Sequence, residues 1–370
     1  MAGQAKGRRA AYLCLETPRE GQAVHTHVHE IVRGLRADGW NIELITTQAG
    51  GASGGRSFGL RAADYLRAQA RLVSRLSNLD AVFMRSHPAA FLVSHLARLK
   101  GVPVFQEVNG KPTDLLVTYP GLRRVGSLIE WAYRTQLKRA AHVFAVTEGL
   151  RDWVTAFAGH DRVTVVSNGA NTDVFRPDGP PSPIDGSYIV FVGGLVGWHG
   201  IDTMLAAARL PGWPDGVKLV VVGDGVERGK LQALGDDARI VWLGRRPYDE
   251  IPALLRGALA ALCVIESPAG RSATGVAPIK LFEAMACATA VIVSDLPFQA
   301  DLVRQVGCGQ VVPMADPQAL ADAAAGLAAS PDRAREMGLR GAAYVRQHAS
   351  WQARASETGR VMEKVLDARS

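Results

Sequence analysis

The sequence predicts an α/β protein made of two doubly wound, Rossmann-like domains with parallel sheets. Three observations carry that expectation. Apolar, β-branched runs alternate with helical patterns along the chain, as parallel strands joined by right-handed crossovers require. The alternation stops at a polar, turn-forming segment, RPDGPPSPIDGS, and then begins afresh. The 370 residues also exceed what one core usually supports. A composition of 48% hydrophobic residues with 39 Gly and 19 Pro suits tight strand-to-helix turns and excludes a fibrous or disordered chain.

In the first half the strands read AAYLCLE, NIELITT, DAVFMRS, GVPVFQEV, HVFAVT and RVTVVSNG, with the helix VHEIVRGLRADGW between the first two. In the second half they read YIVFVGG, VKLVVVG, RIVWLG, AALCVIE, TAVIVSD and GQVVPM. The last segment, SWQARASETGRVMEKVLDARS, reads as a helix beyond the second set of strands. The domains so drawn are 1–177, 178–348 and a C-terminal helix, 349–370, returning toward the first domain. Ligands of open parallel sheets sit beyond the carboxyl ends of the strands, so two such domains facing one another would enclose a cleft. The first turn, TPREGQAVH, holds one glycine instead of G-x-G-x-x-G, which disfavours hydride transfer.

No apolar run approaches the roughly 18 residues that cross a bilayer. The basic opening MAGQAKGRR leads into a strand rather than a signal-peptide core, and Ala2 stands where myristoylation requires glycine. Cys14, Cys263, Cys287 and Cys308 are scattered without metal-site spacing and read as reduced, buried thiols of a cytoplasmic protein. The net charge of +7 is uneven: residues 1–178 hold 23 Lys and Arg against 15 Asp and Glu. Arg67, Arg71 and Arg75 recur on one helix, and Arg123, Arg124, Arg134, Lys138 and Arg139 lie near Trp131 and Tyr133. Such a face either attracts the anionic inner surface of a membrane or is simply solvated. No RNA- or DNA-binding module is visible, so nucleic acid is not an expected partner.

The stretch GVAPIKLFEAMACATAVIVSD, residues 275–295, carries the chemistry. Pro278 suits a first helical position, and Val276 and Ala277 before it offer no side-chain cap. The orphan amides and the helix dipole therefore want an anion. Lys280 in the first turn runs against the usual acidic preference, which makes sense if a phosphate arrives. Glu283 follows one turn later, with Leu281, Phe282 and Met285 turned to the core. A carboxylate can accept two hydrogen bonds from the vicinal hydroxyls of a ribose next to that phosphate. The alternative is an exposed ion pair, worth about half a kcal/mol.

The sequence resembles the retaining GT-B glycosyltransferases of family 4 nearly end to end. The matching pieces, in order, are EGQAVHTHVHEIVRGLRADGW, VSNGANTDVFRP, FVGGLVGWHGIDTMLAAA, VVVGDGVERGKLQAL, RIVWLGRRPYDEIPALL and PIKLFEAMACATAVIVSD. The resemblance implies transfer of a sugar from a nucleoside-diphosphate sugar to an acceptor hydroxyl, with no cofactor. Glu283 looks like the ribose ligand, the second glutamate of E-x7-E. Gly275 stands in place of the first, leaving the backbone amides of Gly275, Val276 and Ala277 to meet the donor. Where members hold an Arg and a Lys around the first strand-turn, this chain has Gly194 and His199, so Lys280 becomes the main diphosphate cation, aided by Arg271. Trp198 either lines the donor pocket with His199 or packs the turn. Arg246 follows a strand near the base. Gly21 matches the glycine loop of the first domain, and His27 lines it.

His25, His27 and His29 do not suggest a metal, because only His25 and His29 share a helical face. His87, Glu107 and Asn109 fall at strand ends in the acceptor region, with Glu107 the acceptor-side base or orienting group and His87 or Asn109 its alternatives. The product expected is a polysaccharide, a glycolipid or a glycosylated metabolite, with a lipid-linked glycan one acceptor that the basic first half suits. No D-x-D occurs in the sequence, so metal independence is expected. The alternatives are another GT-B enzyme, such as an epimerase, or a non-catalytic sugar-nucleotide-binding scaffold.

Overall fold

The computed structural model describes residues 7–18, 21–47, 58–113, 116, 120–235, 237–266 and 273–369. They fall into two compact units, Met1–Ser167 with Trp351–Ser370, and Asn168–Ser350.

The first unit holds six parallel strands: β1 (Arg9–Cys14), β2 (Asn41–Thr46), β3 (Ala81–Arg85), β4 (Val104–Val108), β5 (His142–Ala145) and β6 (Val163–Val165). Their order across the sheet is β2-β1-β3-β4-β5-β6. The central strands read as continuous apolar runs because helices cover both faces, leaving no solvent side to alternate toward. In β4 all five residues are buried. The order reverses between β1 and β3, and the loops at their carboxyl ends flank that switch point. The helix Trp351–Asp367 packs along the helix Ala23–Ala37. Gln352 Nε2 donates to Asp38 Oδ1 (2.8 Å), and the His27 ring meets Trp351 edge-on at 5.1 Å.

The second unit repeats the plan with β7 (Tyr188–Val192), β8 (Lys218–Val222), β9 (Ile240–Gly244), β10 (Ala260–Cys263), β11 (Ala290–Ser294) and β12 (Gly309–Val312). Its order is β12-β11-β10-β7-β8-β9, all parallel, with the switch point between β7 and β10. Alternate residues of β7 enter opposite cores: Ile189 and Phe191 one face, Tyr188 and Val190 the other.

The division falls at Ser167/Asn168 rather than after residue 177. Asn168 Nδ2 donates to Ala277 O (2.6 Å), Ala170 N to Ala349 O (3.0 Å), and Phe175 lies in the same apolar cluster as Tyr188. A run of Pro and Gly marks a loop, whereas contacts decide where a unit ends. The far boundary shifts likewise, from 348 to Ser350. All four cysteines are free and buried, and burial pushes each thiol up to about 12. Among the described residues no helix is long and apolar enough to cross a membrane.

Candidate active site

In the second unit the chain leaves β7 through Gly193 and Gly194. These glycines serve close approach: a Cβ on Gly193 would lie 2.6 Å from Lys280 Nζ, and one on Gly223, after β8, would lie 1.9 Å from Gly193 O. The two loops thereby interlock at the carboxyl end of the sheet. Lys280 reaches this point from the helix Ile279–Ala286. Its Nζ is closed off from solvent, stands 4.1 Å from the Phe191 ring centroid and has no hydrogen-bond acceptor among the described residues. Burial pushes the ammonium down to about 8, against the opposing pull of Cys263 and Glu283. His199 meets the same Phe191 ring edge-on at 5.9 Å, and its Nδ1 donates to Gly194 O (2.6 Å). Lys280, Gly194 and His199 are therefore gathered around Phe191 beside the switch point. The sequence reading missed Phe191, because a strand Phe looks like any other core residue.

Glu283 is buried at 9% exposure and its Oε1 accepts from Tyr248 OH (3.1 Å). Tyr248 is in turn braced edge-on against Phe175 at 5.2 Å. The exposed Lys280–Glu283 ion pair is thus not what forms: one group is occluded and the other buried. Sequence reasoning missed Tyr248, although its place after β9 at a carboxyl edge was a usable signal.

Pro278 is the residue before the helix, not its first residue. Its ψ of 132° is extended and it supplies no side-chain cap, so the helix begins uncapped at Ile279. Val276 N donates to Pro297 O (3.3 Å), so that amide does not face a ligand, and Ala277 O accepts from Asn168. Gly275 has φ +74° and an added Cβ would lie 2.7 Å from Pro297 O. The family glutamate is therefore not merely absent here, since the backbone admits only glycine without a shift. Arg246 is exposed and lies 3.9 Å from Glu250, a surface pair. Arg271 lies outside the described residues. Trp198 is 51% exposed, and its carbonyl accepts from Glu266 N (3.1 Å). Glu266, which the sequence reading passed over, also accepts from Thr203 N (2.9 Å) and Thr203 Oγ1, and so caps the helix Ile201–Arg209.

In the first unit β1, β3 and β4 deliver Tyr12, Arg85 and Glu107 to one buried cluster. Glu107 accepts from Tyr12 OH (3.0 Å), His27 Nε2 (2.8 Å), Arg85 Nη1 (3.0 Å) and Asn109 Nδ2. Burial works against its ionisation, but His27, Arg85 and Asn109 outweigh it and hold the carboxyl at about 2. A carboxylate bonded by four donors is a poor proton acceptor, which fits the orienting role for Glu107 better than that of the base. His27, at 3% exposure, turns its Nε2 to Glu107 and does not line a loop surface. Arg85 Nε extends the network to Glu16 Oε1 (2.7 Å).

His87 Nδ1 accepts from Ala89 N (3.2 Å), and burial lowers its pKa against the pull of Glu16. It is neutral at pH 7 with its proton on Nε2, a donor rather than a base. Gly21, φ +79°, leads into the helix Ala23–Ala37, whose first turn carries no acid. The His25 and His29 rings lie 4.2 Å apart, tilted by 36°, and among the described residues no three His, Cys, Asp or Glu side chains come together as a metal ion needs.

Two family models match the chain, Glycosyl transferase 4-like domain over residues 22–169 and Glycosyl transferases group 1 over 178–343. The α-maltose-1-phosphate synthase of Mycolicibacterium smegmatis is 30% identical over 64% of this chain and 66% of its own length. The phosphatidyl-myo-inositol mannosyltransferase of Mycobacterium leprae is 32% identical over 61% and 60%. The chain thus spans less than two thirds of these relatives. Among solved structures, sucrose-phosphate synthase from Thermosynechococcus elongatus superposes with a TM-score of 0.78 at 17% identity, covering 98% of this chain and all of that one. Anabaena HepE, solved in complex with UDP, gives 0.71 at 15% identity over 96% and 100%. With both family models matched in order along two parallel-sheet units, the chain belongs to the group 1, family 4 glycosyltransferases and has the GT-B fold.

Proposed function

We propose that the chain is a retaining glycosyltransferase that moves a sugar from a nucleoside-diphosphate sugar to an acceptor hydroxyl without a metal ion. One observation carries the reading: an occluded ammonium, Lys280 Nζ, has no acceptor among the described residues and stands beside a helix start without a side-chain cap from Pro278, at the switch point of the second sheet. A diphosphate there supplies the missing acceptors, and the same cation stabilises the charge that grows on the leaving group. Glu283, oriented by Tyr248, accepts the ribose hydroxyls. Lys280 and the helix start supply the positive charge that a metal would otherwise bring.

The acceptor belongs to the first unit, where His87 offers an Nε2 proton donor next to the ordered Glu107–Arg85 network. Exposed Leu66, Leu92 and Trp131 support a lipid-linked acceptor and contact with an anionic inner membrane face. Arg67, Arg71 and Arg75 pair with Asp64 and Glu43, which offsets part of their charge, and Tyr133 is buried. The UDP complex of HepE makes UDP-sugars the first donors to try. Incubating the chain with UDP-, GDP-, ADP- and dTDP-sugars should select one that is hydrolysed or transferred, with an axial anomeric product from an axial donor by NMR. Inverted product would refute retention, and stabilisation by a donor without turnover would favour a scaffold.

A further inference from the structure

We propose a second anion site, a phosphate-binding recess at the amino edge of the first unit's sheet. Between the helices Phe91–Leu99 and Gly126–Arg139, over the start of β4, lies a cavity of about 120 Å³. It shares its Arg98, Thr135, Arg139 and Arg369 walls with an open recess of about 480 Å³, to which Lys138 and Arg162 contribute. Residues 102–103, 140–141 and 162 precede β4, β5 and β6, so the recess opens at the edge opposite Arg85 and Glu107, which stand at carboxyl ends.

Five basic side chains converge on these two hollows. Arg98, Lys138, Arg139, Arg162 and Arg369 form no ion pair among the described residues. By contrast, Arg9, Arg33, Arg71, Arg75, Arg85 and Arg151 of the same unit each hold a carboxylate. Like charges gathered round one hollow repel, and an anion is what relieves them. The local field is felt nearby: His142, at the start of β5, is pushed down to about 4 by burial together with Arg162 and His160. Arg162 is held in place by the carbonyls of Lys138 (3.2 Å) and Ala140 (3.4 Å). Gln136, a wall residue, keeps a buried Oε1 without a donor among the described residues, which suits a ligand bearing a hydroxyl.

Several guanidinium forks around one hollow match the oxygens of a phosphate ester better than a single carboxylate. The phosphate comes either from a soluble ester or from a phospholipid headgroup. The adjoining exposed Leu96, Leu99 and Leu128 would accompany the second source.

The test uses Arg98→Glu/Lys138→Glu, two exposed side chains that make no hydrogen bond or ion pair among the described residues, with Arg139→Glu as a second variant. Inorganic pyrophosphate is titrated calorimetrically in a Lys280→Ala background, so that the donor site does not contribute. Cosedimentation is measured with phosphatidylglycerol and with phosphatidylcholine vesicles. The expected result is at least a tenfold loss in one arm in both charge-reversed proteins, with the thermal midpoint and nucleotide binding of the Lys280-containing forms unchanged. Loss of pyrophosphate binding assigns a soluble ester, and loss of phosphatidylglycerol binding assigns a headgroup. Equal binding of both probes by wild-type and variant chains, or no binding of either, would overturn the proposal. Failure of the donor assignment would show separately, as equal nucleotide binding by Lys280→Ala and wild type.

Discussion

Lys280 Nζ stands 4.1 Å above the centroid of the Phe191 ring and touches no hydrogen-bond acceptor among the described residues. A desolvated cation–π contact returns about 2 kcal/mol, less than the cost of removing an ammonium from water. The downward shift of Lys280 to about 8 says the same: burial wins. A side chain so placed holds charge ready for a partner that arrives from outside.

The pH dependence of donor binding follows. Lys280 is charged below about 8 and loses its proton above it, so affinity for the donor should fall as pH rises through that value. A bound diphosphate favours the ammonium, so binding near pH 8.5 should take up a proton, visible as buffer-dependent heat. A flat affinity from about pH 7 to 9.5 would contradict this.

Glu107 makes the first unit acid-sensitive. Its folded pKa, about 2, lies below the ordinary carboxylate value of 4.5, so its stabilisation is present above 4.5 and lost as pH falls through 2. Glu107→Gln should cost on the order of 3 kcal/mol at pH 7, leaving Arg85 and His27 without their shared carboxylate. It should also flatten the acid limb of the stability curve, read by urea unfolding at several pH values. A neutral variant with an unchanged limb would remove Glu107 from its organising role.

Gly275→Glu restores the glutamate that relatives of this family carry, yet it should harm the protein. A side chain at φ +74°, pressed against Pro297 O, costs about 2 kcal/mol or more. Differential scanning calorimetry should show a lower midpoint. A midpoint like wild type with faster turnover would mean the position merely lacks its glutamate.

Tyr248→Phe removes the hydroxyl that orients Glu283. Losing about 1 kcal/mol of orientation should weaken nucleotide binding roughly fivefold while binding of free pyrophosphate is unchanged. Equal weakening of both ligands would place Tyr248 in general packing instead.

Much of this was legible in the sequence, for physical reasons. Parallel strands buried on both faces leave uninterrupted apolar runs, so β1, β7 and β11 could be read directly. Lys280 and Glu283 stood out because a lysine opening an uncapped helix and a carboxylate on an apolar one both need a reason. Glu107 was visible, but its bonds to Tyr12 and His27 were not, since those residues lie 95 and 80 residues away in sequence. The pairing of Arg71 and Arg75 with Glu43 was hidden in the same way. Gly275 was read as a missing side chain, because a motif shows letters and not the sign of φ. The cap that Glu266 places on Thr203 comes from another loop, which helix-start rules do not search.

Lys280→Met gives the most direct test, because it keeps the packing on Phe191 and removes only the charge. The empty variant should melt at a higher temperature than wild type, and calorimetric affinity for the nucleoside diphosphate chosen by the donor panel should fall at least tenfold. An affinity equal to wild type, or a lower midpoint in the empty protein, would contradict the assignment of Lys280 to the donor diphosphate.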